Sequence, residues 1–95
     1  MKRMDIQRDI VEFVCRTFMV DEEEIVLDRS LVDQGIIDSF GLMEIAVHLR
    51  KQFAIETEQS EITRDNFGSL LRIAAYVERK LQDEELQVRS FTRSS

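Results

Sequence analysis

The sequence predicts an all-α fold: a small four-helix bundle, three main helices and one short one, with a long loop between helices 1 and 2. Apolar residues recur at three- and four-residue steps in separate stretches, the mark of amphipathic helices. The chain has no proline to interrupt a helical hydrogen-bond ladder. Its 95 residues, 43% of them hydrophobic, suffice for one compact core and not two. The expected domain covers residues 1–83.

Helix 1 is predicted over residues 4–19. Ile6, Ile10, Phe13, Val14 and Phe18 share one face by their i, i+4, i+7, i+8 spacing. Asp5 or Asp9 near its start suits the helix dipole. Cys15 falls at the edge of that stripe, with no basic neighbour evident to activate it, and reads as a small buried or half-buried thiol rather than a nucleophile. Residues 20–38 form a long connection, uncommon in so small a domain and for that reason of functional interest. Ile25, Val26, Leu27, Leu31, Ile36 and Ile37 follow no regular period there and are expected to pin the loop to the bundle. Asp28-Arg29-Ser30 is expected to open a short helical turn.

Helix 2 is predicted from Ser39 to Phe53, with Leu42, Ile45, Ala46, Leu49 and Phe53 inward. Phe40, Met43 and Val47 lie roughly 100–160° from that face and form an outward apolar ridge beside Glu44 and Lys51. The alternative is a wide core face in which Met43 fills a gap. A short helix is expected near Ser60–Arg64, carrying Ile62. Asp65-Asn66 offers a cap for the last helix, predicted from about Phe67 to Leu81. Its buried face is Leu70, Leu71, Ile73, Ala74, Val77 and Leu81. Beyond Asp83 the pattern fades, and residues 84–95 are expected to be a disordered tail.

Charge and composition exclude several functions. A net charge of −6 argues against nucleic acid, whose phosphates need clustered cations. It favours a partner with a basic face. The acid is concentrated: Asp21, Glu22, Glu23, Glu24, Asp28, Asp33 and Asp38 stand against Arg29 alone in residues 20–38. Such a run is either a solvated loop or a field around the serine that follows. A single cysteine excludes an internal disulfide and fits a reducing, cytoplasmic setting. No apolar run approaches the ~20 residues of a membrane span, and no signal-type block follows Met1-Lys2-Arg3. The expectation is a cytoplasmic monomer with no membrane association.

Catalytic equipment is missing. Ile37-Asp38-Ser39-Phe40-Gly41 is half of a nucleophile elbow, but the first glycine is Ile37 and the strand is lacking. His48, the one histidine, lies about 13 Å up the same helix and is expected on its surface. A small hydrolase needing both Ser39 and His48 is therefore disfavoured. One Cys and one His make no zinc site, and the acidic loop fails calcium-loop spacing. What survives is Ser39 at a helix head, where unpaired N–H groups and the dipole favour a phosphate ester. Asp38 precedes it, placed to meet a metal ion or basic residue of a modifying enzyme. From the residues alone, simple capping stays open beside covalent modification.

At these positions the sequence resembles the acyl/peptidyl carrier protein family. The resemblance rests on Leu31-Val32-Asp33-Gln34-Gly35-Ile36-Ile37-Asp38-Ser39-Phe40-Gly41-Leu42-Met43-Glu44-Ile45. It extends through Phe53-Ala54-Ile55, Asn66-Phe67-Gly68-Ser69 and Ile73-Ala74-Ala75-Tyr76-Val77, about residues 4–82. It implies that Ser39, preceded by Asp38, accepts 4′-phosphopantetheine from coenzyme A through a phosphopantetheinyl transferase using Mg²⁺. The arm would carry acyl or aminoacyl cargo as a thioester between an activating ligase and downstream acyl-transfer enzymes, without catalysis by the carrier. Phe40, Met43, Glu44, Val47 and Ile62 match partner-docking positions of the family. Phe40 replaces the usual leucine, and Arg50-Lys51 replaces acid found in fatty-acid carriers. These departures set it apart from carriers of the ordinary fatty-acid enzymes. The pattern is more similar to discrete carriers served by AMP-forming ligases, as in nonribosomal peptide or D-alanyl transfer, with the pathway open among nonribosomal peptide, polyketide, D-alanyl-type and fatty acid. The rival expectation is an unmodified helical interaction module.

Overall fold

The computed structural model describes the backbone of residues 3–94 and the side chains of residues 5–82. The chain forms α1 (Arg3–Phe18), α2 (Ser39–Phe53), α3 (Arg64–Phe67) and α4 (Leu70–Ser94). Two 3-10 turns, Glu22–Glu24 and Gln59–Glu61, lie in the connections, and no strand occurs among the described residues. The all-α bundle predicted from periodicity is the fold observed.

On α1 the spacing buries Ile6, Ile10, Val11 and Val14, while Phe13, Cys15 and Phe18 pack half-buried at the edge. Burial raises the Cys15 thiol pKa, and nearby Glu22, Asp21 and Glu24 push it the same way. The thiolate is disfavoured there, as a packing cysteine requires. Met19, in the left-handed region at φ 55°, ends the helix with its side chain in solvent.

The long connection is held at both levels, by side chains and by backbone. Ile25, Leu31 and Ile37 are buried, each contributing about 1.5–3 kcal/mol against the entropy of ordering the loop. Val26 is the exception among the expected anchors: it is exposed. Its N–H donates to Gln34 Oε1 at 2.9 Å and its C=O accepts from Gln34 Nε2 at 3.0 Å, so the backbone, not the side chain, is clamped. Gln34 Nε2 also donates to the Arg29 carbonyl at 3.0 Å. The helical turn expected to open at Asp28-Arg29-Ser30 is present as a single turn from Ser30, whose C=O accepts from the Gln34 N–H at 3.0 Å, within a run of turns over residues 27–35. One of them is closed by the Asp33 N–H donating to Ser30 Oγ. Two backbone bonds tie this loop to the start of α4: Leu31 N–H to the Gly68 C=O at 3.0 Å, and Leu71 N–H to the Leu27 C=O at 3.1 Å.

α2 has the predicted bounds. It buries Ile45, Leu49 and Phe53, keeps Leu42 and Ala46 half-buried, and stops at Ala54 in the left-handed region. The next segment differs from expectation. The helix predicted at Ser60–Arg64 is split into the Gln59–Glu61 turn and α3, because Thr63 Oγ1 accepts from the Asn66 N–H and restarts the helix there. Phe67 consequently belongs to α3, where it is buried. The cap of α4 is not Asp65-Asn66 but Ser69, whose buried Oγ accepts from the Arg72 N–H at 3.2 Å.

α4 buries Leu70, Ile73, Ala74, Tyr76 and Val77. Leu71 and Leu81 are only half-buried. The helix continues to Ser94, past the end predicted near Leu81, through a stretch without glycine or proline. The tail expected over 84–95 falls on residues whose side chains lie outside the described ones. No described helix is long and apolar enough to cross a membrane.

Candidate functional site

The head of α2 is built from the loop upward. Gly35 takes φ 75°, a conformation open to glycine at little cost, and reverses the chain. Ile37 then turns inward and is buried. Asp38, at φ −109° and ψ −169°, is the N-cap: its Oδ1 accepts from the Gly41 N–H at 2.9 Å. Ser39 is thus the first residue of the helix proper. It is exposed, and among the described residues none hydrogen-bonds its hydroxyl. Capping and the free hydroxyl belong to two different residues.

Gly41 explains how this head is fixed. A Cβ there would lie 2.8 Å from the Ile37 Cβ and 3.1 Å from the Phe18 ring. Only glycine lets the first turn of α2 sit this tightly on the loop and the end of α1. The hydroxyl therefore stands on a rigid platform.

From Ser39 the ridge runs up the outer face of α2. Phe40 is 76% exposed, Met43 51% and Val47 52%, so the outward arrangement read from the helical wheel is the one observed. Glu44 and Lys51 flank it in solvent. These side chains line one wall of a mostly apolar groove of ≈ 570 Å³, and Phe13 and Thr17 of α1 line the other. Ile62 does not line this groove. It packs half-buried against the core after the second 3-10 turn.

His48 is the residue that sequence reasoning misplaced. It is not a surface residue: its side chain is 13% exposed, its Nε2–H donates to Asp9 Oδ2 at 2.7 Å, and its ring stacks on Phe13 with centroids 4.0 Å apart. The imidazole is turned to α1 and joins the two walls of the groove. No spacing within one helix could have revealed a partner on another. A second missed cluster lies on the opposite connection. There the Tyr76 hydroxyl and Lys80 Nζ meet the Glu61 carboxylate at 3.2 and 3.0 Å. The Glu61 carboxyl is held below the usual carboxylate range, first by the Glu58 N–H and then by Lys80 and Tyr76.

All seven carboxylates of residues 20–38 are exposed, so the approach to Ser39 is strongly negative while its own helix end carries a partial positive charge. The hydroxyl fits a phosphate ester: it is accessible, unpaired and next to the helix's first N–H groups.

The profile of a family described as a phosphopantetheine attachment site matches residues 8–82. D-alanyl carrier proteins of Streptococcus pyogenes serotypes M5, M49 and M1 are each 36% identical over 75 residues, covering 79% of this chain and 94% of theirs. A helical bundle with a free serine at the head of its second helix, matched over most of its length by that profile, belongs to the phosphopantetheine-binding carrier protein family.

Proposed function

We propose that Ser39 is the attachment point of 4′-phosphopantetheine and that the chain carries acyl or aminoacyl cargo between enzymes without catalysing their reactions. The observation that carries this reading is the division of labour at the helix head. Asp38 satisfies the cap, so the Ser39 hydroxyl is exposed and free to be esterified. When bound, the arm supplies a terminal thiol that holds cargo as a thioester. The protein's own part is to present the hydroxyl on a fixed turn and to offer surfaces to partners. With no base hydrogen-bonded to the hydroxyl among the described residues, the transferase must activate it, and the acidic approach suits an enzyme with a basic face.

The exposed Phe40, Met43 and Val47, with Glu44 beside them, form the docking surface for the transferase, an activating ligase and the acceptor enzyme. Ile62 adds to it from the next connection. Among cargo classes, aminoacyl transfer of the D-alanyl type is favoured by the likeness to the streptococcal carriers. The free Cys15 fits a reducing, cytoplasmic setting, and a monomer leaves the α2 ridge accessible to these enzymes.

Intact-mass analysis after incubation with coenzyme A, Mg²⁺ and a broad-specificity transferase tests the assignment. The native chain gains one phosphopantetheine and Ser39→Ala gains none. A gain that persists in Ser39→Ala moves the attachment elsewhere, and no gain in either removes it.

A further inference from the structure

Ile62 stands in a stretch with little apolar burial to hold it. Ile55 and Phe67 are buried, but residues 56–66 between them contain no fully buried side chain, and Ile62 itself is half-buried. A segment of this kind opens readily unless polar contacts fasten it.

The fastening comes from one stripe of α4. Arg72, Tyr76, Arg79 and Lys80 recur at i, i+4, i+7 and i+8, so they share a helix face. All four reach the connection. The Arg79 guanidinium donates to Asn66 Oδ1 at 2.8 Å, and Arg72 meets Asp65 at 3.2 Å. The second pair lies mostly in solvent and adds little.

The other two converge on Glu61, the residue before Ile62. Lys80 Nζ lies 3.0 Å from Glu61 Oε2, and the Tyr76 hydroxyl donates to the same oxygen at 3.2 Å. Glu61 Oε1 accepts from the Glu58 N–H at 3.1 Å. The peptide joining Glu61 to Ile62 is bonded at both of its polar atoms. Its C=O accepts from Asn66 Nδ2 at 2.9 Å, and its N–H donates to the Gln59 C=O at 3.1 Å. Since α4 packs on the same core as α2, these bonds set where Ile62 stands relative to the ridge.

Resting on the assignment of Ile62 to the docking surface, we propose that Glu61 is a positioning residue for partner binding. Through Lys80 and Tyr76 it holds Ile62 in register with Phe40, Met43 and Val47, and it acts without touching the partner. When that tie is lost, the partner must order the connection as it binds, and the cost falls on KM rather than kcat.

The test is steady-state loading from coenzyme A by the broad-specificity transferase, with the carrier as varied substrate. Ile62→Ala is expected to raise KM for the carrier about threefold with kcat unchanged. Glu61→Gln and Lys80→Met, which break the tie from opposite sides, raise it likewise. The double variant Glu61→Gln/Ile62→Ala is no worse than Ile62→Ala alone, because Glu61 has nothing left to position. A raised KM in Ile62→Ala beside native values in Glu61→Gln and Lys80→Met overturns the positioning role and leaves the docking surface intact. Additive losses in the double variant, or a fall in kcat in place of a rise in KM, overturn it as well. A native KM in Ile62→Ala removes Ile62 from the docking surface, and the role of Glu61 with it.

Discussion

At the head of α2 one missing methyl group decides the geometry. Gly41→Ala would press a Cβ against the Ile37 Cβ at 2.8 Å, a contact with no flexible end to give way. The expected cost is about 1–3 kcal/mol of stability, read by chemical denaturation, together with slower loading as the platform shifts. An unchanged midpoint would show that the turn relaxes freely. Asp38→Ala removes the cap bond to the Gly41 N–H and is expected to cost about 1 kcal/mol. Asp38→Asn, which keeps an acceptor oxygen, should recover most of that stability. Equal losses in the two variants would mean that the charge, not the cap, is what matters.

The sequence is informative at this scale in an uneven way. The Ser39, Phe40, Met43 and Val47 positions were legible because a single helix fixes their directions. His48 was not, because its burial depends on Asp9 and Phe13 thirty-odd residues away, and local periodicity carries no such information. Val26 was misread for a related reason: a side-chain clamp from Gln34 sets its backbone and leaves its own side chain outside.

Among the elements, α2 and the loop before it act as one unit. Gln34 makes three hydrogen bonds to loop backbone. Gln34→Ala is expected to cost about 1 kcal/mol, since water replaces part of what is lost at an exposed site. It should also speed amide exchange at Val26 and its neighbours while leaving α4 protected. Exchange that rises uniformly through the chain would argue against a separately held loop. On the outer face, Glu44→Lys should weaken binding of a partner enzyme about fivefold, roughly 1 kcal/mol, with the helical circular dichroism signal intact. A collapse in thermal stability would make Glu44 structural and put the docking surface elsewhere.

Element boundaries followed their capping chemistry. α2 has the predicted start because Asp38 caps it, whereas its stop at Ala54, in the left-handed region, carries no signal in the residue type and follows the end of the apolar period at Phe53. The region 59–70 departs from prediction, because Thr63 and Ser69 compete with Asp65-Asn66 as caps and only tertiary contacts choose among them. Ser69 is buried in the corner where the loop's Leu31 bonds to Gly68, a long-range pairing with no local signal.

Across the whole molecule the acidic loop end and the Glu61–Tyr76–Lys80 cluster play different parts. The loop carboxylates are exposed and act through their field. Glu61 is partly buried and ties the 54–69 connection to α4. Its folded-state pKa is lowered, so the stability it contributes is present above the ordinary carboxylate pKa and is lost as pH falls through the folded value. Glu61→Gln should lower the melting temperature at neutral pH, and the gap to the native chain should close in strong acid. A gap independent of pH would assign the loss to packing instead.

The bundle as a whole was readable because its contacts are built on amphipathic helices, and the family resemblance was readable because the motif around Ser39 is contiguous. Everything else in the site depends on which hydroxyl is free. Among the described serines, Ser30 and Ser69 have their Oγ atoms engaged by backbone N–H groups, while Ser39 and Ser60 are exposed and unengaged, and of these two Ser39 alone opens a long helix behind its own cap residue. Fragmentation of the loaded protein by tandem mass spectrometry locates the added group directly. The expected result is one phosphopantetheine on the fragment whose only modified residue is Ser39. The same mass increment found on any other serine, with Ser39 unmodified, would contradict it.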